Sequence, residues 1–295
     1  MAIKASGGST SRTRRSRRAS LSAIRSFYAR FVTASAGVAD ERIVHAFAAL
    51  PREDFLGPGP WQVEARGYIS TGTDDPAVLY QNMLVGLAPE RRINNGEPTL
   101  HARSIAMADP HAGDTVIHVG AGTGYYTAIL AQLVGPAGKV QAYEIQPDIA
   151  ARATSALKRF ANVQVLAQSA LDVPLPEAAV IYVSAGATHI PSAFLDALAV
   201  GGRLVLPLTP NERIGGMLLV RRESVAGFAA RFFSPAAFIA CSGARDDAHS
   251  SVLAAAFDTG GAHRVRSLRR DDAPDASAWC VGPSSWLSTE PPPSA

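Results

Sequence analysis

VIHVGAGTGYY, residues 116–126, is the stretch that decides how this chain folds. A short apolar run breaks at Gly120, Gly122 and Gly124 and then passes into a helical pattern, which reads as a strand, a tight turn and a helix start. Glycines there let backbone approach a ligand closely, and the helix behind them offers unpaired N–H groups and the positive end of its dipole. The dinucleotide fingerprint G-x-G-x-x-G requires glycine where this chain has Tyr125, so G-x-G-x-G favours S-adenosyl-L-methionine instead. Glu144 lies 20 residues beyond Gly124, at the end of a second apolar run, KVQAYEI. Its carboxylate is placed to accept hydrogen bonds from both ribose hydroxyls of a nucleotide cofactor. A bare α/β turn with a surface glutamate is the non-functional alternative.

Around this turn the pattern alternates: strand 115–119, helix 125–134, strand 139–144, helix 147–160, strands 162–167 and 179–184, helix 191–199 and strand 202–207. This predicts an α/β fold with a doubly wound, mostly parallel sheet, whose ligands sit at the carboxyl ends of the strands. Residues 215–223 and 228–235 read as an antiparallel pair completing the sheet. Upstream, Ile24, Phe27, Tyr28 and Phe31 recur at helical spacing, and Ile43, Phe47 and Leu50 mark a second helix capped by Asp40 and closed by Pro51. From residue 50 to about 92 little regular structure is expected beyond a short helix in DPAVLYQNMLVGL, the profile of a lid or substrate loop. Asn95-Gly96 marks a turn and Pro98 a helix start; His101 is expected to face away from Ile105.

The 295 residues suffice for a sizeable core, and 47% hydrophobic with 18% charged residues describes a globular chain. No run of about 18 apolar residues occurs, so no membrane partner is expected. Cys241 and Cys280 are too few for a disulfide framework and make no metal motif with nearby histidines; a reducing, cytoplasmic location and no metal are expected. Residues 1–39 carry Lys4 and seven arginines without an acid, so the rest of the chain sums to −5 against a net charge of +3. Such an arm can hold an acidic partner weakly, but a solvated tail is the simpler reading and nucleic acid is not an expected partner. SRRASL at 16–21 is a poor twin-arginine signal because Arg25 and Arg30 interrupt the apolar segment; an organelle transit peptide also fits the arm. The expected division is a disordered basic tail at 1–20, a catalytic domain at 21–245 and a partly disordered extension at 246–295, where RVRSL and SAWCVG pair as a hairpin.

Taken together, AGVADERIVHAFAALPREDFL (36–56), NGEPTLHA (95–102), the glycine turn, Glu144 and AAVIYVSAGATHIPSAFLDALAVGGRLVLPL (178–208) resemble the protein-L-isoaspartate O-methyltransferase family over residues 24–245. The resemblance implies a Rossmann-like fold and methylation of isoaspartyl carboxyls in damaged proteins. It implies that Gly120, Ala121, Gly122 and Gly124 line the cofactor, that Glu144 holds the ribose and that His101 lies near the cofactor. It puts the substrate loop at Asn95, Gly96 and Glu97. Three positions depart from the family: His118 replaces a strand acid, Gln168-Ser169-Ala170 replaces Gly-Asp-Gly so that Ser169 becomes the adenine contact, and Gly96 replaces a loop serine, with Glu97 next to it. A lost hydroxyl weakens substrate binding by about 1 kcal/mol, with Asn94, Asn95 or Thr99 as replacement donors. No catalytic base is needed, because a carboxylate of pKa near 4 is already ionised at neutral pH. His189 and Asp172, near predicted strand ends, are candidate acid–base groups, with solvated loop side chains as the simpler reading. A methyltransferase with another acceptor, or a non-catalytic member of the fold, is the alternative.

Overall fold

The computed structural model describes residues 20–270 and 273–293. The basic tail, its export or transit readings and its partners lie outside the described residues, apart from Ser20. In chain order the helices are α1 (Leu21–Ser35), α2 (Glu41–Ala49), α3 (Glu53–Leu56), α4 (Pro98–Ala108), α5 (Tyr125–Val134), α6 (Pro147–Leu157), α7 (Ser192–Ala197) and α8 (Asp247–Thr259). The strands are β1 (Gln62–Glu64), β2 (Tyr68–Ser70), β3 (Gly86–Ala88), β4 (Ile93–Asn94), β5 (Thr115–Val119), β6 (Lys139–Tyr143), β7 (Val163–Leu166), β8 (Ala178–Val183), β9 (Leu198–Leu208), β10 (Gly215–Arg222), β11 (Phe228–Ala236), β12 (Ser267–Arg269), β13 (Ala278–Val281) and β14 (Trp286–Ser288).

The main sheet runs β13-β14-β12-β11-β10-β9-β8-β5-β6-β7, parallel from β9 to β7 and antiparallel beyond β9. Its two faces follow from the period of two in the strands. Val116, Val180, Tyr182, Val205, Met217 and Leu219 point to one side, where α1, α2, α4 and α5 add Tyr28, Phe47, Ile105 and Ile129. Ile117, Val119, Ile181, Val183, Leu204, Leu206 and Leu218 point to the other, against Phe194, Leu195 and Leu253. Helices on both faces explain why these strands are apolar at nearly every position. Strand order reverses at β5, between β6 and β8, so a crevice opens at the carboxyl ends of β5 and β8, beside Gly120 and Ser184.

Four expectations change. The helix predicted within DPAVLYQNMLVGL is only a single 3₁₀ turn at Pro76–Leu79, followed by β3. Carbonyls that would continue it accept instead from the buried Arg52 guanidinium: Nη1 donates to Leu79 O and to Gln81 O at 3.1 Å, and Nη2 to Met83 O at 3.4 Å. His101 does not face away from Ile105. Four residues apart on α4 they share one face, and both are buried. The extension beyond Asp246, expected to be partly disordered, holds α8 and three strands that lengthen the main sheet. RVRSL and SAWCVG do not pair: a turn closed by Gly282 N–H donating to Ser285 O brings β14 back between β12 and β13. Among the described residues no helix is long and apolar enough to cross a membrane.

Candidate active site

The glycine turn is held against β6 and β8 by its own backbone. Gly120 N–H and Ala121 N–H both donate to Tyr143 O, at 2.9 and 3.0 Å, which pulls the chain over the end of β6. Gly120, with φ of +74°, is left-handed, and a Cβ there would stand 3.3 Å from the Ser184 carbonyl. Glu144 leaves β6 beneath the turn, 7% exposed. One carboxylate oxygen accepts from Gly122 N–H at 2.8 Å and the other from Gln146 N–H at 2.9 Å. Burial raises its pKa, and these backbone bonds oppose the rise. Each oxygen keeps a lone pair free for hydroxyl donors.

Two adjoining cavities share Gly120 as their wall. The larger, about 890 Å³, is lined by Gly120, Ala121 and Gly122 together with Asn94, Asn95, Gly96, Glu97 and His101. The smaller is lined by Glu144, Ile145, Gln168, Ser169 and Ala170. Ser169 Oγ accepts from Leu171 N–H at 3.1 Å, which pins that bend. Gly124 lines neither cavity: a Cβ on it would lie 2.6 Å from Leu157 Cδ1, so its lack of a side chain serves the packing of α5 on α6. His189 and Asp172 line neither.

His101 organises the loop wall. Its ring stacks on Tyr126 with centroids 3.6 Å apart and 8° between planes, and Nδ1 shares a hydrogen bond with Tyr182 Oη at 2.8 Å. Burial, with His118 nearby, pushes its pKa down to about 3, so it is neutral at physiological pH. Gly96 closes over Nε2 in a left-handed conformation, with φ of +76°. A Cβ on Gly96 would stand 2.1 Å from Nε2. Any side chain at this position would collide with the histidine ring.

The loop supplies other donors. Asn95 Oδ1 accepts from Val85 N–H at 2.9 Å, which fixes the orientation of the amide, and its Nδ2 is buried without a partner. Thr99 Oγ1 is likewise buried and unpartnered. Asn94 Oδ1 is taken up by Gly96 N–H at 2.9 Å. The Glu97 carboxylate accepts from Asn82 Nδ2, and Arg92 on the same wall has no ion-pair partner among the described residues. His118 is not a bare replacement for an acid: its ring nitrogens bond to Thr127 Oγ1 at 2.8 Å and Ser184 Oγ at 3.0 Å. Burial brings its pKa down to about 3, so strand and cavity rim are joined through a neutral ring. Ser184, Tyr126 and Phe238 are cavity residues that sequence reading missed; the 178–208 block holding Ser184 was the available signal.

The sequence model of the Protein-L-isoaspartate(D-aspartate) O-methyltransferase (PCMT) family matches residues 32–245. The chain belongs to this family. A PCMT of Ignicoccus hospitalis is 35% identical over 147 residues, covering 48% of this chain and 69% of that protein. One from Methanoculleus marisnigri is 31% identical over 191 residues, 63% and 78% of the two chains. In structure, a PCMT at 22% identity superposes with a TM-score of 0.63 over 79% of this chain and 69% of the other. A Plasmodium falciparum PCMT in complex with S-adenosyl-L-homocysteine gives 0.60 at 16% identity, over 74% and 98%. These two share the Rossmann-like fold. In this PCMT, α8 and the last three strands lie beyond the family match.

Proposed function

We infer that this PCMT uses S-adenosyl-L-methionine to methylate the carboxyl group of L-isoaspartyl residues in damaged proteins. The observation that carries the reading is that the glycine turn and the 94–101 loop line one cleft, with Glu144 in the cavity that adjoins it at Gly120. The donor set suits the cofactor: Glu144 retains lone pairs for the ribose hydroxyls, Gly120 to Gly122 present backbone to the methionine part, and Ser169 and Ile145 flank the adenine space. The cofactor supplies an electrophilic methyl group on a positively charged sulfur.

The residues of the chain position and desolvate. The acceptor carboxylate is ionised at neutral pH and needs no base, in keeping with a neutral His101 and His118 at the site. Asn95, on the cleft wall with its Nδ2 buried and without a partner, takes the role of the missing loop serine. Leu87, Leu100 and Phe238 exclude water. Holding nucleophile and methyl in line supplies roughly 7–11 kcal/mol of barrier reduction. The test is methyl-ester formation with labelled cofactor on an isoaspartyl peptide and its aspartyl twin: product on the first alone is expected. A different acceptor is the second reading, favoured by the Glu97 carboxylate on the cleft wall; cofactor-analogue binding without product on either peptide would select it. Absence of cofactor binding would leave only the fold.

A further inference from the structure

The loop after β8 and the start of α8 meet outside both cavities. There a ring nitrogen of His189, a carboxylate oxygen of Asp246 and a ring nitrogen of His249 all lie within 4.8 Å of one another. The two imidazoles stand 5.4 Å apart between centroids, inclined by 51°. Asp246 divides its carboxylate: Oδ1 accepts from His249 N–H at 2.7 Å and so caps α8, while Oδ2 meets His249 Nδ1. His189 Nδ1 is buried and has no hydrogen-bond partner, which leaves the loss of its hydration uncompensated.

We propose that His189, Asp246 and His249 form a binding site for a zinc-type divalent metal ion, with a fourth position open to water. Two imidazoles and one carboxylate are a borderline donor set that suits zinc, nickel or copper and not magnesium or calcium. A tetrahedral ion with bonds of about 2.0–2.1 Å brings its ligand atoms to about 3.4 Å of one another, which side-chain rotation achieves from the observed separation. Side-chain exposures of 26% for His249 and 45% for Asp246 leave a path for entry.

The ion would act as a clip. Thr188 N–H donates to Ala244 O at 2.9 Å and Asp246 N–H to Thr188 Oγ1 at 3.2 Å, so the two segments are already neighbours. Ser184 and Ala185, at the start of the same loop, border the larger and the smaller cavity. Coordination therefore ties the segment beyond the family match to the rim of the proposed cofactor site. His189 stands 57 residues before Asp246 and 60 before His249, which hides the motif from any spacing rule.

The test is calorimetric titration of tag-free, chelator-stripped full chain with zinc chloride, alongside visible absorption on cobalt(II) loading. One zinc per chain is expected, weakened by at least about tenfold in His189→Ala and in His249→Gln and unchanged in His263→Ala. Saturating zinc should raise the melting temperature of the wild type and not of the first two variants. The wild-type titration does not depend on any variant folding, and no stoichiometric uptake at submillimolar zinc overturns the proposal. So does uptake that either cluster variant leaves intact, which would assign the binding to other histidines.

Discussion

Replacing Gly96 with serine should destabilise this protein. At φ of +76° a side chain sits in the left-handed region, at about 1–2 kcal/mol. The new Cβ would stand 2.1 Å from His101 Nε2 and 2.7 Å from Cδ2. The histidine cannot retreat freely, because it is stacked on Tyr126 at 3.6 Å and bonded to Tyr182 at 2.8 Å. Overpacking of this kind adds about 1–3 kcal/mol, for about 2–5 kcal/mol in all. At a few degrees per kcal/mol the melting temperature should fall by roughly 5–15 °C. Thermal denaturation of Gly96→Ser and Gly96→Ala should show the same loss, since the hydroxyl is not its cause. In a His101→Ala background the second substitution should cost only the backbone share. A Gly96→Ser protein with an unshifted melting temperature and faster turnover of an isoaspartyl peptide would refute this account of the loop.

Glu144→Ala should weaken S-adenosyl-L-homocysteine binding by roughly 10–100-fold in calorimetry, the worth of charge-assisted bonds to two hydroxyls; unchanged affinity would remove Glu144 from the ribose site. His101 and His118, each pushed down to about 3, bind fewer protons folded than unfolded, so stability is full above the unfolded pKa near 6.5 and is lost as pH falls toward 3. Each should withdraw about 2 kcal/mol between pH 7.5 and pH 5, and denaturant titrations of His118→Gln should show a pH dependence smaller than that of the wild type by about that amount. Arg52→Met leaves the buried carbonyls around Leu79 without their donor and should lower stability by about 3 kcal/mol or more, read from the denaturant midpoint.

Much of the catalytic half was legible in the residues. The strand at 115–119 and the helix at 125–134 stand where periodicity places them, because a doubly buried sheet demands an unbroken apolar strand and the glycine turn marks its end. Other elements were illegible for reasons of distance. The 76–88 segment has apolar residues enough for a helix, yet its carbonyls are captured by Arg52, more than 20 residues upstream. The Ala- and Gly-rich composition beyond residue 245 concealed α8 and three strands, whose stability comes from extending an existing sheet edge and not from local propensity.

From its sequence alone this protein had a doubly wound fold, a glycine turn and an acid at the next strand end, since each follows from local spacing and alternation. Tertiary structure alone decided that Gly96 yields its space to His101, that Asn95 keeps a buried, unpaired donor in the cleft wall, and that His189 meets Asp246 and His249. The last joins segments remote in the chain, and the first two depend on how the loop and His101 pack against Val85, Tyr126 and Tyr182. Which such contacts form is set by how the elements pack, and no period or spacing along the chain records it.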